Sequence, residues 1–168
     1  MNDRPILFLD IDGVLNDHTW HQPADSTTID KPCMHRLNQI IAETDCDIVI
    51  STAWRYLIYN GAMTTIGFYQ MLRSHGLTKF ARIVGVTHPD EIANDGVTRV
   101  ISEYEKSDRG HQISNWMKRH GSDRRYCVVD DRDDLGIQSL HTSKFIQTNK
   151  DTGMTDLEML RIISILKG

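Results

Sequence analysis

A three-layer α/β/α sandwich around a central, mostly parallel sheet is predicted by two observations. Short apolar runs alternate along the chain with segments of helical spacing, and several of those runs end abruptly on carboxylates or hydroxyls. Strands that alternate with helices imply right-handed crossovers and parallel pairing. The first strand is expected over 6–11, continuously apolar after Pro5 and therefore buried on both faces. A helix follows over 30–44, with Met34, Leu37, Ile40 and Ile41 at helical spacing and Asp30 as its N-cap. Further strands are expected at 47–51 (DIVIS), 82–87 (RIVGVT), 125–130 (RYCVVD) and 144–148 (KFIQT). Between the second and third strands, 56–77 reads as two helices separated by Gly61 and Gly67 and finished near Gly76. Helical spacing resumes over 109–120 through Ile113, Trp116 and Met117. The last helix opens on the capping-box spacing Thr155 to Glu158 and runs through Leu160, Ile163 and Leu166.

The chain has 168 residues, enough for one domain with a sizeable core, so residues 1–168 are expected to form a single domain. The polar segment 88–108 is expected to be a surface excursion or a small lid. Apolar residues make up 39% and charged residues 25%, the balance of a soluble globular protein. No apolar run approaches the roughly 20 residues of a membrane span, and charges in the first ten residues argue against a signal peptide. Three widely spaced cysteines favour neither a disulfide framework nor a zinc knuckle, which makes a reducing, cytoplasmic setting the expectation. His18 and His21 lack partners at ligand spacing for zinc. The formal charge of −4 leaves no global basic footprint for nucleic acid, although a local basic groove is compatible with it.

In an open parallel sheet, ligands bind beyond the carboxyl ends of the strands. Those ends carry Asp10 and Asp12, Ser51 and Thr52, and Asp130 and Asp131. Like charges as close as Asp10 and Asp12 are costly unless something positive lies between them. Hard carboxylate donors on one edge suit Mg2+ shared with phosphate oxygens. In that setting Asp10 could attack phosphorus while Asp12 protonates the leaving oxygen and later takes a proton from water. Gly13 lets the backbone turn away without a side chain over the site. Ser51, with Thr52 as its competitor, could bond a phosphoryl oxygen. Arg109 could neutralise charge developing there, with Arg55 and Lys106 as alternatives. A cation at a helix start opposes the macrodipole, so Arg109 asks for a nearby anion. Arg132 is a candidate substrate contact or a partner of Asp133 or Asp134. Trp116 reads as core, and Trp54 as either core or a base-stacking platform.

DIDGVL, Ser51 after DIVI, Arg109 and VVDDRDD resemble, in order, the four motifs of the haloacid dehalogenase (HAD) superfamily of phosphohydrolases. That resemblance implies a Rossmann-like sheet and an aspartyl-phosphate mechanism on Asp10 with Asp12 as acid/base. The implied magnesium ligands are Asp10, the backbone carbonyl of Asp12, and Asp130, assisted by Asp131 or Asp134. FLDIDGVLN, ISTAWR, RGHQISNW, VVDDRDD and QTNKDTGMT are similar to the phosphatase-type domain of Swiss Army knife RNA-repair proteins. DDR at 130–132 is similar to the phosphatase half of bacteriophage polynucleotide kinase-phosphatase. The segment 88–108 is long for that subfamily. The spacing leaves little room for a large cap domain, so an open site is expected, admitting a phosphorylated RNA or DNA end or a nucleotide. The rival expectations are a small-metabolite phosphatase and a non-catalytic phosphate-binding adaptor.

Overall fold

The computed structural model describes residues 4–17, 29–59, 61–87, 109–120, 123–133 and 136–168. Five strands, β1 (Ile6–Leu9), β2 (Asp47–Ile50), β3 (Arg82–Val86), β4 (Tyr126–Asp130) and β5 (Phe145–Gln147), form one sheet in the order β3-β2-β1-β4-β5. All four pairings are parallel. The strands are a residue or two shorter than expected. Their ladder nevertheless continues past the strand ends, with N–H···O bonds from Asp10 to Val129 (3.1 Å), Ser51 to Leu9 (2.8 Å), Thr87 to Ile50 (2.9 Å) and Thr148 to Asp130 (3.0 Å).

Alternation along β1 divides the core. Leu7 and Leu9 pack with Met34, Leu37 and Ile41 of α1 (Lys31–Thr44), Phe68 and Leu72 of α3 (Thr65–Ser74), and Ile162 and Leu166 of α6 (Asp156–Lys167). Ile6 and Phe8 point the other way, onto Ile113, Trp116 and Met117 of α4 (Arg109–His120) and Ile137 of α5 (Ile137–His141). The three-layer expectation is met. Trp116 is core, edge-on to Phe8 at 5.5 Å. The short α2 (Arg55–Tyr59) follows β2. Cys33, Cys46 and Cys127 are buried and free.

Three local readings change. Asp30 is the N-cap residue of α1 but makes no side-chain cap bond; its carboxylate accepts from the Asp17 N–H (3.1 Å), tying α1 to the loop after β1. In α6 the buried face carries Met159, Ile162 and Leu166, whereas Leu160 is exposed; apolar Leu157 and Leu160 on the opposite side blur the periodicity. α5 occupies a stretch in which no element was expected, and the 3-10 turn Thr142–Lys144 ends on Lys144, which was expected to open the fifth strand. Segment 88–108, the expected excursion or lid, and residues His18, His21, Lys106 and Asp134 lie outside the described residues. Among the described residues no helix is long and apolar enough to cross a membrane.

α4 approaches α5 so closely that a side chain at Gly110 has no room: a Cβ there would lie 2.3 Å from the Gly136 carbonyl oxygen. His141 bridges the same contact, its Nε2 2.9 Å from the Gly110 carbonyl and its Nδ1 2.9 Å from the Tyr126 hydroxyl. Burial lowers the His141 pKa, so the neutral ring donates from Nε2 and accepts at Nδ1. Gly110→Ala should cost about 2 kcal/mol in a urea melt.

Candidate active site

The site lies at the carboxyl edge of the sheet, where β1 and β4 stand side by side. Asp10 is 3% exposed and Asp130 1% exposed, and ligand oxygens of Asp10, Asp130 and Asp131 fall within 4.8 Å of one another. Arg109, in the first turn of α4, is buried and donates from Nη1 to Asp10 Oδ2 (2.9 Å) and to Asp130 Oδ2. The anion that its helix-start position calls for is therefore present twice. Burial opposes the charge on Arg109, but Asp10 and Asp130 outweigh it and hold its pKa up. Burial, reinforced by the charge of Asp10, pushes the Asp130 carboxyl well above its ordinary range; Arg109 and the Arg132 N–H, which donates to Asp130 Oδ1 (3.0 Å), offset part of that. One guanidinium thus serves two buried carboxylates, with a third close by. An all-oxygen donor set with this excess of negative charge fits a hard divalent cation such as magnesium.

Asp12 reaches the same cleft by a turn rather than by strand alternation. The chain bends after Ile11, whose carbonyl accepts from Val14 (3.1 Å) and Leu15 (2.8 Å). Gly13 carries the bend at φ +72°, and a Cβ on it would come within 2.7 Å of the Asp131 side chain. Both Asp12 oxygens are engaged: Oδ2 accepts from the Trp54 indole Nε1 (2.6 Å) and Oδ1 from Asn16 Nδ2 (3.1 Å). Trp54 packs edge-on to Phe68, so its ring is both partly core and the orienting donor for Asp12. That role depends on a contact 42 residues away and left no signal in the sequence. Trp54→Phe keeps the packing and removes the donor; kcat should fall about tenfold, with an unchanged melting temperature as the control.

A cleft of about 380 Å3 is lined by Asp10, Asp12, Ala53, Arg109, Asp131, Arg132 and Lys150. Lys150 was not among the expected site residues; it sits on the turn after β5, within the QTNKDTGMT stretch. Ser51 is buried at the end of β2 with its hydroxyl 3.5 Å from that of Thr87, and Thr52 is buried with its Oγ1 accepting from the Trp54 N–H (3.3 Å). Neither lines the cleft wall. Arg55, 1% exposed, donates to the Thr52 carbonyl (2.7 Å) and to Gln112 Oε1 (2.8 Å). It is a brace between the turn after β2 and α4, away from the cleft where a substrate contact was expected.

The sequence matches the family described as the HAD domain in Swiss Army Knife RNA repair proteins over residues 6–159. The chain belongs to this family. Neither a curated protein nor a solved structure matches the chain significantly. Membership in this HAD family accounts for the parallel α/β architecture and points to hydrolase chemistry of the phosphatase type. The matched span of the HAD domain runs from β1 into α6 and contains every residue that lines the cleft.

Proposed function

We propose that this HAD domain is a magnesium-dependent phosphomonoester hydrolase that works through an aspartyl phosphate on Asp10 and acts on a nucleic-acid 3'-phosphate end or a nucleotide. The observation that carries the reading is the convergence of Asp10, Asp12 and Arg109 on one cleft. A phosphate-binding module has use for the guanidinium but none for two carboxylates facing an anion.

In this reading an Asp10 carboxylate oxygen attacks phosphorus, and the bond from phosphorus to the ester oxygen breaks. Asp12, protonated for this step, gives its proton to the departing oxygen. As a carboxylate it then takes a proton from the water that attacks the aspartyl phosphate, which frees inorganic phosphate and restores Asp10. Trp54 and Asn16 hold the Asp12 carboxyl in one orientation for both transfers. Arg109, fixed by Asp10 and Asp130, presents positive charge beside the attacking oxygen. Asp10, Asp130 and Asp131 would hold magnesium, with the Asp12 carbonyl as the family resemblance implies; when bound, the ion offsets charge on the phosphoryl oxygens. Gly13 permits Asp131 to stand this close to the nucleophile loop.

The test is release of inorganic phosphate from a 3'-phosphorylated oligonucleotide, a nucleoside monophosphate and an aryl phosphate, with magnesium and with EDTA. Magnesium-dependent turnover with the oligonucleotide preferred is the expected result. Turnover confined to the small esters would favour a metabolite phosphatase, and none on any substrate would favour the adaptor.

A further inference from the structure

In the proposed reaction the transferred phosphoryl group already has a dedicated cation in Arg109, yet a lysine also faces the same cleft. Lys150 lines it together with Asp10, Asp12, Asp131 and Arg132, and among the described residues Lys150 forms no ion pair and no hydrogen bond. Lys150 is exposed, so its ammonium is open to an incoming anion.

The position of Lys150 is built. Its turn is closed by the Asn149 carbonyl, which accepts from Thr152 (3.0 Å) and Gly153 (2.9 Å), and by Asn149 Oδ1, which accepts from the Asp151 N–H (2.9 Å). Both flanks of the turn are fastened to the loop that carries Asp12. Thr148 donates its hydroxyl to the Gly13 carbonyl (2.7 Å), and Met154 donates its N–H to the Val14 carbonyl (2.8 Å). The backbone at Lys150 is thereby anchored to the nucleophile loop itself. The cleft, about 380 Å3, falls within the roughly 300–1,000 Å3 range of sites that enclose whole small molecules, and is larger than one phosphoryl group requires.

We propose that Lys150 binds a second phosphate of the substrate, separate from the one that is hydrolysed, and makes the domain selective for substrates carrying two phosphates. This rests on the phosphatase reading above. Two sources supply that chemistry: the internucleotide diester next to a 3'-phosphorylated end, and the second monoester of a nucleoside 3',5'-bisphosphate.

The experiment compares kcat/KM for a dinucleotide 3'-phosphate, a nucleoside 3',5'-bisphosphate and a nucleoside 3'-monophosphate in wild type, Lys150→Met and Lys150→Arg. The preference for at least one two-phosphate substrate over the monophosphate should fall about tenfold in Lys150→Met, through KM, and be largely kept in Lys150→Arg. Which of the two substrates carries the loss identifies the source. An unchanged preference for both, or an equal loss on all three substrates, overturns the proposal. Binding of the bisphosphate and the monophosphate to the Asp10→Asn chain, with and without Lys150→Met, is measured by calorimetry in parallel. No turnover by wild type, together with a Lys150-dependent preference for the bisphosphate in the Asp10→Asn chain, would sink the phosphatase reading and leave only the second phosphate contact of Lys150 standing. Absence of any Lys150-dependent binding preference would sink this one.

Discussion

Phosphate release by Asp10→Asn should fall by on the order of 10^4-fold or more, because the substitution removes the charge of the oxygen that attacks phosphorus in the proposed mechanism while keeping its shape. The variant is informative because the fold has little reason to suffer. Asp10 is buried beside Asp130, and the two share one guanidinium nitrogen. Neutralising Asp10 relieves the repulsion that helps push the Asp130 carboxyl upward. The amide oxygen can still accept from Arg109. The expected pairing is therefore lost turnover with a melting temperature equal to or above that of wild type. Activity within about tenfold of wild type would remove Asp10 from the nucleophile role. Lost activity with a large fall in melting temperature would mean that the carboxylate matters chiefly to folding.

The largest expected effect on stability lies at the other end of the sheet. Asp47, 1% exposed at the start of β2, accepts from Arg82 Nε (2.8 Å) and from Arg124 Nη2. Arg82 also reaches Asp45 (2.9 Å), and Arg124 also donates to the Arg4 carbonyl (2.6 Å), so one buried carboxylate gathers the ends of three chain segments. Removing a buried partner leaves the surrounding charges uncompensated. Asp47→Ala should lose about 3 kcal/mol in a urea melt, or roughly 6–12 °C in melting temperature for a chain of this size. Turnover at 25 °C should stay close to wild type, since the substitution is at the amino end of β2 and the cleft is at the carboxyl end. A fall of less than about 1 kcal/mol would place this cluster with ordinary surface ion pairs.

What the sequence disclosed and what it hid differ in range. α1 and α4 were legible because Met34, Leu37 and Ile41, and Ile113, Trp116 and Met117, repeat at a spacing that only one face of a helix satisfies. The carboxylates at the ends of β1 and β4 were legible because a buried run that ends in charge has few structural reasons to do so. α5 went unseen because five residues, IQSLH, are too few to establish a period. The α6 face was misplaced because apolar residues stand on both of its sides. Arg55 reads from the sequence as an alternative to Arg109 beside the phosphoryl group; its course toward α4 depends on Gln112, far away in sequence. Trp54 and Lys150 escaped for the same reason: each acquires its place from a partner or an anchor on another element.

The fastening of the β5 turn to the loop after β1 bears on the order in which the molecule assembles its cleft. β1 is central and waits for β4, over a hundred residues later in the chain, before its second edge is paired, and contacts of such sequence separation form slowly. The Gly13 and Val14 carbonyls depend on partners as distant in sequence, Thr148 and Met154. A refolding chain can therefore regain most of its helix while the loop bearing Asp12 lacks its last two anchors. Enzymatic activity should return after the far-ultraviolet signal does, and so report the final docking step rather than the collapse.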